Sequence, residues 1–366
     1  MKIVLTGFDG YIGSVLAPYL IRKGHEVTGL DTGFYNNGWL YRDRSQPLIP
    51  ESIHKDIREI EKKDLEGFDA VVHLAELSND PLGQLKPDIT QKINYKATLR
   101  LARLSKVCRI RRFIYTSSCS VYGTNGDDFK TEESELNPQS IYAECKILVE
   151  REVSKMADDQ FSPVFLRNAT AYGLSPKMRF DIVLNNLCGH AWHNKRIEMI
   201  SNGTPWRPLV HVLDICKAIK LSLEGPVEDI HNQILNVGDT NENYQIRDVA
   251  DITASVFNNC DIKTGTENND PRSYRVSFEK IKRVLPGFTC DYDVTKGVMQ
   301  LFNLFKNINL SKEDFNSRSF IRLKQIQHLI ETRQVDEQLF WTENFKADKP
   351  FQSKFVIPNN CQVDIS

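Results

Sequence analysis

The chain opens Lys2-Ile-Val-Leu-Thr-Gly-Phe-Asp-Gly-Tyr-Ile-Gly13, an apolar β-type run that ends in three glycines spaced three apart. No other feature restricts the fold as much. A strand, a tight glycine turn and a helix make the first unit of a parallel α/β sheet. The first glycine permits the turn, the second lets backbone N–H groups approach a diphosphate, and the third lets the helix pack close to the strand. The spacing is GxxGxxG over Gly7, Gly10 and Gly13, with Tyr11 and Ile12 inside the turn. Asp31 stands 18 residues beyond Gly13, after the second apolar run. A carboxylate there accepts hydrogen bonds from the ribose hydroxyls of adenosine and repels a 2′-phosphate, so the spacing points to NAD over NADP. Asp9 is expected to face solvent, away from the phosphates.

The first half continues the pattern. Glu26–Leu30, Ala70–Leu74 and Arg112–Thr116 are short apolar runs separated by helical periodicity, which predicts a Rossmann-type doubly wound parallel sheet. The texture changes near residue 174, where a smaller C-terminal substrate-binding lobe is expected to begin. The predicted division is a cofactor-binding unit over 1–173 with a return near 212–240, a substrate lobe over 174–211 and 241–305, and a helical extension and tail over 306–366. In that extension Leu323, Ile326, Leu329 and Ile330 share one helix face, as a packed helix or an oligomer contact would require. The last 25 residues are poorly patterned and are expected to drape over the surface.

Totals narrow the function. The 366 residues carry 47 basic and 48 acidic side chains, a balance that favours neither nucleic acid nor an anionic membrane. No stretch approaches the roughly 20 apolar residues that span a bilayer, and the N-terminal apolar run ends in Thr6-Gly7 rather than a cleavable leader site. The eight cysteines lack CxxC spacing, which suits free thiols in a reducing cytoplasm.

Tyr142-Ala-Glu-Cys-Lys146 places a phenol and an ammonium on one helix face. The cation stabilises the phenolate, creating a base for a sugar hydroxyl. A serine from the hydroxyl-rich run Tyr115-Thr-Ser-Ser-Cys-Ser-Val-Tyr-Gly123 can bond the same reacting oxygen. Other chemistry-bearing residues have simpler readings. His190 and His193 suit helix packing better than metal binding, and Cys119 and Cys145 suit core lining better than nucleophilic attack. Trp192 and Trp206 suit the core, with Trp206 the better of the two for stacking on a base.

Taken in order, TGFDGYIG, Asp31, His73-Leu-Ala75, Ser118-Cys-Ser-Val-Tyr-Gly123, Tyr142/Lys146, Leu166-Arg-Asn-Ala-Thr-Ala-Tyr-Gly173, Asn185-Asn186 and Arg207-Pro-Leu-Val-His-Val212 resemble the extended short-chain dehydrogenase/reductases. Within that family the resemblance is to the nucleotide-sugar epimerases and dehydratases, and it covers roughly residues 1–285. It implies Tyr142 as acid/base, Lys146 as its partner and ribose ligand, and Ser118 as the hydroxyl counted back from Gly123. It implies Asp56 and Ile57 near the adenine, Leu74 and Ala75 along the cofactor crevice, and Asn94 as a structural polar residue. Asn186, Arg207 and Arg272 would hold the substrate diphosphate, with Arg275 an equal candidate to Arg272. Thr170 belongs to the substrate set and stands where many epimerases carry asparagine. A homodimer through the Tyr142 helix is a further implication.

The family's 4,6-dehydratases place an Asp-Glu pair after the catalytic hydroxyl, whereas this chain has Cys119-Ser120. The reading is therefore an NAD-dependent nucleotide-sugar epimerase. A ketoreductase or dehydrogenase with exchangeable cofactor is the alternative, and a catalytically silent NAD-binding protein is the reading from another class.

Overall fold

A computed structural model describes residues 1–43, 50–78, 80–199, 201–266, 272–342 and 356–357. Seven parallel strands form the central sheet: β1 (Lys2–Thr6), β2 (Glu26–Asp31), β3 (Glu51–His54), β4 (Ala70–His73), β5 (Arg112–Ser118), β6 (Ser162–Asn168) and β7 (Ile234–Val237). Their spatial order is β3-β2-β1-β4-β5-β6-β7. The order reverses between β1 and β4, and in open α/β sheets the crevice beyond the carboxyl ends at such a point is where ligands bind.

The strands read as apolar runs because both faces are covered. Ile3, Leu5, Val72, Ile114, Val164 and Leu166 face one core, with helices Gly13–Arg22 and Val212–Glu224 packed over it. Val4, Val71, Phe113, Tyr115 and Phe165 face the other, beneath helices Thr98–Val107, Ile141–Ser154 and Arg322–Glu331. The last of these carries the apolar face seen in the sequence. Ile326 and Leu329 are buried within the chain's own second core, with Leu323 and Ile330 packed against it, so the packed-helix alternative holds there. Of the last 25 residues, Thr342 and Val356–Ile357 lie within the described residues, the latter paired in parallel with Arg42–Asp43.

Smaller sheets stand beyond the carboxyl edge. Trp206–His211 pairs with Thr170–Tyr172 in parallel and with Asn243–Gln245 antiparallel. Arg196–Glu198 pairs with Asp261–Lys263, and Ser273–Val276 with Thr124–Lys130. Among the described residues no helix is long and apolar enough to cross a membrane.

The helix after β1 depends on Gly13. A Cβ there would lie 2.2 Å from the Gly7 carbonyl oxygen and 2.6 Å from Phe8 Cα, both backbone atoms. Overpacking of this kind costs about 3 kcal/mol. Gly13→Ala should lower the urea midpoint accordingly, and an unchanged midpoint would show that the turn yields freely.

Candidate active site

A cavity of about 1220 Å³ runs along the carboxyl edge of the sheet. Its wall includes every position singled out above for cofactor, catalysis or substrate except Arg275 and the stacking candidate Trp206. At its floor, Gly7 has φ +73° and donates its N–H to the Leu30 carbonyl. A Cβ on Gly7 would meet Ala75 N and Leu74 C at 2.8 Å, so only glycine lets the β1 and β4 ends approach. Tyr11 fixes the turn by donating its hydroxyl proton to the Gly173 carbonyl at 2.7 Å. The helix that begins at Gly13 has no acidic residue in its first turn, leaving its N-terminal dipole available to an anion.

Asp9 does not face solvent. Its carboxylate lies 2.9 Å from Lys177 Nζ, and that ammonium also donates to the Tyr35 and Asn36 carbonyls. Burial raises the Asp9 carboxyl to about 6 despite the opposing pull of Lys177. Burial likewise lowers Lys177 to about 8 against the pull of Asp9. The expectation failed because the covering lysine comes from 168 residues away.

At the adenosine end, Asp31 closes β2 and accepts from the N–H groups of Gly33 (2.8 Å) and Asp9 (3.2 Å). It is thus a turn-forming residue as well as a cavity carboxylate. Asp56 and Ile57 line the same end, but the Asp56 carboxylate is taken by the Arg58 guanidinium and backbone N–H at 2.7 to 2.9 Å. Leu74 and Ala75 both donate backbone N–H to Thr6 Oγ1 at 3.2 Å. Beneath them His73 bridges Thr6 and Thr98, and burial lowers its ring to about 3, so it is neutral. Asn94 is a buried clamp whose amide pairs with both backbone groups of Leu77.

At the other end stand Ser118, Tyr142 and Lys146. Helix Ile141–Ser154 is capped by Ser140, whose hydroxyl accepts from Ala143 N. Lys146 Nζ lies 5.2 Å from the Tyr142 ring centre. Ser118 accepts from Ser120 N at 3.1 Å, whereas Ser117 donates to Glu150 at 2.5 Å and belongs to the buried Glu150–Arg167 pair below. Ser120 also lines the cavity, and its hydroxyl finds no partner among the described residues. Cys119 is buried, donates to the Arg167 carbonyl, and has its thiol raised by burial; Cys145 is raised to about 12 for the same reason.

Sequence reasoning missed Glu76. Its carboxylate lies 2.5 Å from Lys146 Nζ and accepts from the Tyr115 hydroxyl at 2.7 Å. Lys146 also donates to the Thr116 carbonyl. Burial raises the Glu76 carboxyl, with Lys146 opposing. The only signal was an acidic residue directly after His-Leu-Ala in a predicted strand end.

At the far end, Thr170, Asn186, Arg207 and Arg272 line the wall. The Asn186 amide donates to the Phe180 carbonyl at 2.9 Å, and Arg207 donates to the Trp206 and Arg272 carbonyls. Arg275 is not in the wall. Its guanidinium sits between the rings of Phe129 and Trp206, 4.7 and 5.1 Å from their centres, which favours Arg272 and takes Trp206 off the cavity. Trp192 donates to the Leu310 carbonyl in the core. His190 and His193 pack on Phe315, although His190 also reaches the cavity wall. Also unanticipated are Arg179 and Asp181, an ion pair at 2.9 Å in the wall. Burial works to raise Asp181, but the Arg179 guanidinium wins and holds it below the usual carboxylate range.

Removing one member of a buried ion pair costs about 3 to 5 kcal/mol. Glu76→Gln should lower the stability of the ligand-free protein by an amount near the bottom of that range, read from urea unfolding, because the amide still accepts from Lys146.

Residues 3–238 match the NAD dependent epimerase/dehydratase family. The chain is 25% identical over 321 residues to the UDP-glucose 4-epimerase of Corynebacterium glutamicum, covering 82% of this chain and 94% of that one. It is 29% identical over 246 residues to Protein CapI of Staphylococcus aureus, covering 62% and 70%. Among solved structures, MoeE5 in complex with UDP-glucuronic acid and NAD superposes with a TM-score of 0.72 at 25% identity, over 83% of this chain and 99% of that one. The UDP-glucose 4-epimerase of Thermotoga maritima, at 20% identity and TM-score 0.72 over 85% and 100%, shares the fold. The seven-stranded sheet, the glycine turn and the match across 3–238 agree: this chain belongs to the NAD dependent epimerase/dehydratase family.

Proposed function

We propose that the protein is an NAD-dependent epimerase of a nucleotide-diphosphate sugar. The observation that carries this reading is the placement of Tyr142, Lys146 and Ser118 in one cavity wall with the glycine turn, with Cys119-Ser120 where a dehydratase acid pair would stand. The cavity suits the cofactor: Gly7, Gly10 and Gly13 line it without side chains at the start of a helix, and Asp31 offers a carboxylate at the ribose end.

When bound, NAD supplies a reversible hydride acceptor. Tyr142 takes the proton of the reacting hydroxyl as the carbon is oxidised and returns it when the centre is reduced from its other face. Lys146 steadies the phenolate, and Ser118 donates to the reacting oxygen. Glu76 holds the Lys146 ammonium in place through their ion pair and offsets part of its positive field. No group with the acidity to expel a C6 hydroxyl stands at 119–120, since the Cys119 thiol is raised and bonded to a carbonyl.

The far end, with Thr170, Asn186, Arg207 and Arg272, suits a substrate diphosphate, because guanidinium forks pair with phosphoryl oxygens. We assign 1–173 and 212–240 to cofactor binding and 174–211 with 241–305 to the sugar nucleotide. A homodimer in the cytoplasm completes the reading; the free cysteines suit that compartment.

Proton NMR of the protein with a panel of nucleotide sugars and sub-stoichiometric NAD tests the proposal. A stereoisomer should accumulate over many turnovers without net NADH, whereas one NAD consumed per sugar would make the enzyme a dehydrogenase. Tyr142→Phe should cut kcat by about a hundred- to ten-thousandfold, and full activity in that variant would remove the acid/base assignment.

A further inference from the structure

Most buried charges around the cavity are paired within the chain: Asp9 with Lys177, Asp181 with Arg179, Glu76 with Lys146 and Glu150 with Arg167. Arg322 is different. It opens helix Arg322–Glu331 of the C-terminal extension, is 3% exposed, and lines the cavity. Its guanidinium lies against the Tyr35 ring, 3.8 Å from the centre. Neither Nη1 nor Nη2 has a hydrogen-bond partner among the described residues. A desolvated guanidinium without an acceptor is strongly disfavoured, so the site is built for an anion that the chain itself does not provide.

Its position narrows the choice. Arg322 is within electrostatic reach of Asp9, Asp31, Arg179 and Asp181. Arg179 in turn reaches Tyr142. Arg322 shares the cavity wall with the glycine turn, Asp31 and Arg179, and its guanidinium rests on Tyr35 in the loop that follows β2. The carboxylates around it already have partners: Asp9 has Lys177, Asp181 has Arg179, and Asp31 accepts two backbone N–H groups. Asp31 also disfavours a 2′-phosphate at the ribose end.

We propose that Arg322 is a ligand for the diphosphate of NAD, delivered across the cavity by the C-terminal extension. The inference rests on the NAD-binding reading of this cavity. It assigns a cofactor role to a segment beyond the family match, which ends at residue 238. The planar fork suits two phosphoryl oxygens, and the extension holds it in place. Gln325 donates to the Phe34 carbonyl at 2.9 Å, and Trp341 donates to the Thr32 carbonyl at 2.6 Å. The loop after β2 is thereby held between the cofactor cavity and the extension, so NAD and the extension stabilise each other's position.

Calorimetric titration of the full chain with NAD, ADP, adenosine, NADP and UDP, on wild type, Arg322→Met and Arg322→Lys, tests this. Arg322→Met should weaken NAD and ADP by roughly ten- to a hundredfold and leave adenosine and UDP unchanged. The ligand-free melting temperature of Arg322→Met should not fall, because an uncompensated buried charge has been removed, while the rise in melting temperature on adding NAD should shrink. Should Arg322→Met fail to fold, Arg322→Lys decides: weaker NAD and ADP binding with unchanged adenosine supports the proposal. Wild-type affinity for NAD and ADP in the variants overturns it, as does a loss confined to UDP or to NADP. A wild-type chain that binds no NAD overturns the cofactor reading along with it.

Discussion

The site depends on the close approach of two backbones at the reversal of strand order. Gly7 lies against Leu74 and Ala75, and Gly13 against Gly7 and Phe8, at separations that no Cβ could occupy. Everything around the cavity is referred to that contact. It brings the end of β1 and the end of β4 together, aims the start of helix Gly13–Arg22 at the crevice, and sets Thr6 where it orders the Leu74 and Ala75 N–H groups.

Around that floor, the cavity is walled by charges taken out of water in pairs. Such pairs contribute little net stability, since desolvation offsets most of the attraction, yet each becomes costly when one partner is lost. Their value here lies in position. Glu150, paired with Arg167, takes the Ser117 hydroxyl at the cavity wall, and Ser118 is the hydroxyl assigned in the proposed chemistry. Glu76 fixes the Lys146 ammonium, and Lys177 turns Asp9 away from bulk solvent. Arg322 departs from the pattern, and the departure is what makes it informative.

Much of the site was legible because its signals are local. The glycine turn is set by spacing within seven residues, Gly7 to Gly13, and the Tyr142–Lys146 face by a single helical turn. The alternation of apolar runs with helices was enough for a doubly wound parallel sheet. What escaped is carried by partners distant in sequence. Asp9 meets Lys177, 168 residues on, and Glu76 meets Lys146. Trp206 and Arg275 lie against each other from separate strands, and neither lines the cavity, although their types alone suggested a binding role. Arg322 lies in a helical segment that reads as a packed helix or an oligomer contact, and nothing local in the sequence shows its packing against Tyr35 at the cavity wall.

In the proposed reaction the cavity inverts a carbinol centre by oxidation and reduction at the same carbon, with Tyr142 moving only the hydroxyl proton. Turnover of an accepted nucleotide sugar in deuterium oxide, followed by NMR and mass spectrometry of the product, addresses this directly. The inverted product should retain its carbon-bound hydrogen and take up no solvent deuterium at the inverted centre. Deuterium at that carbon would contradict it, because the carbon would then have been deprotonated rather than oxidised.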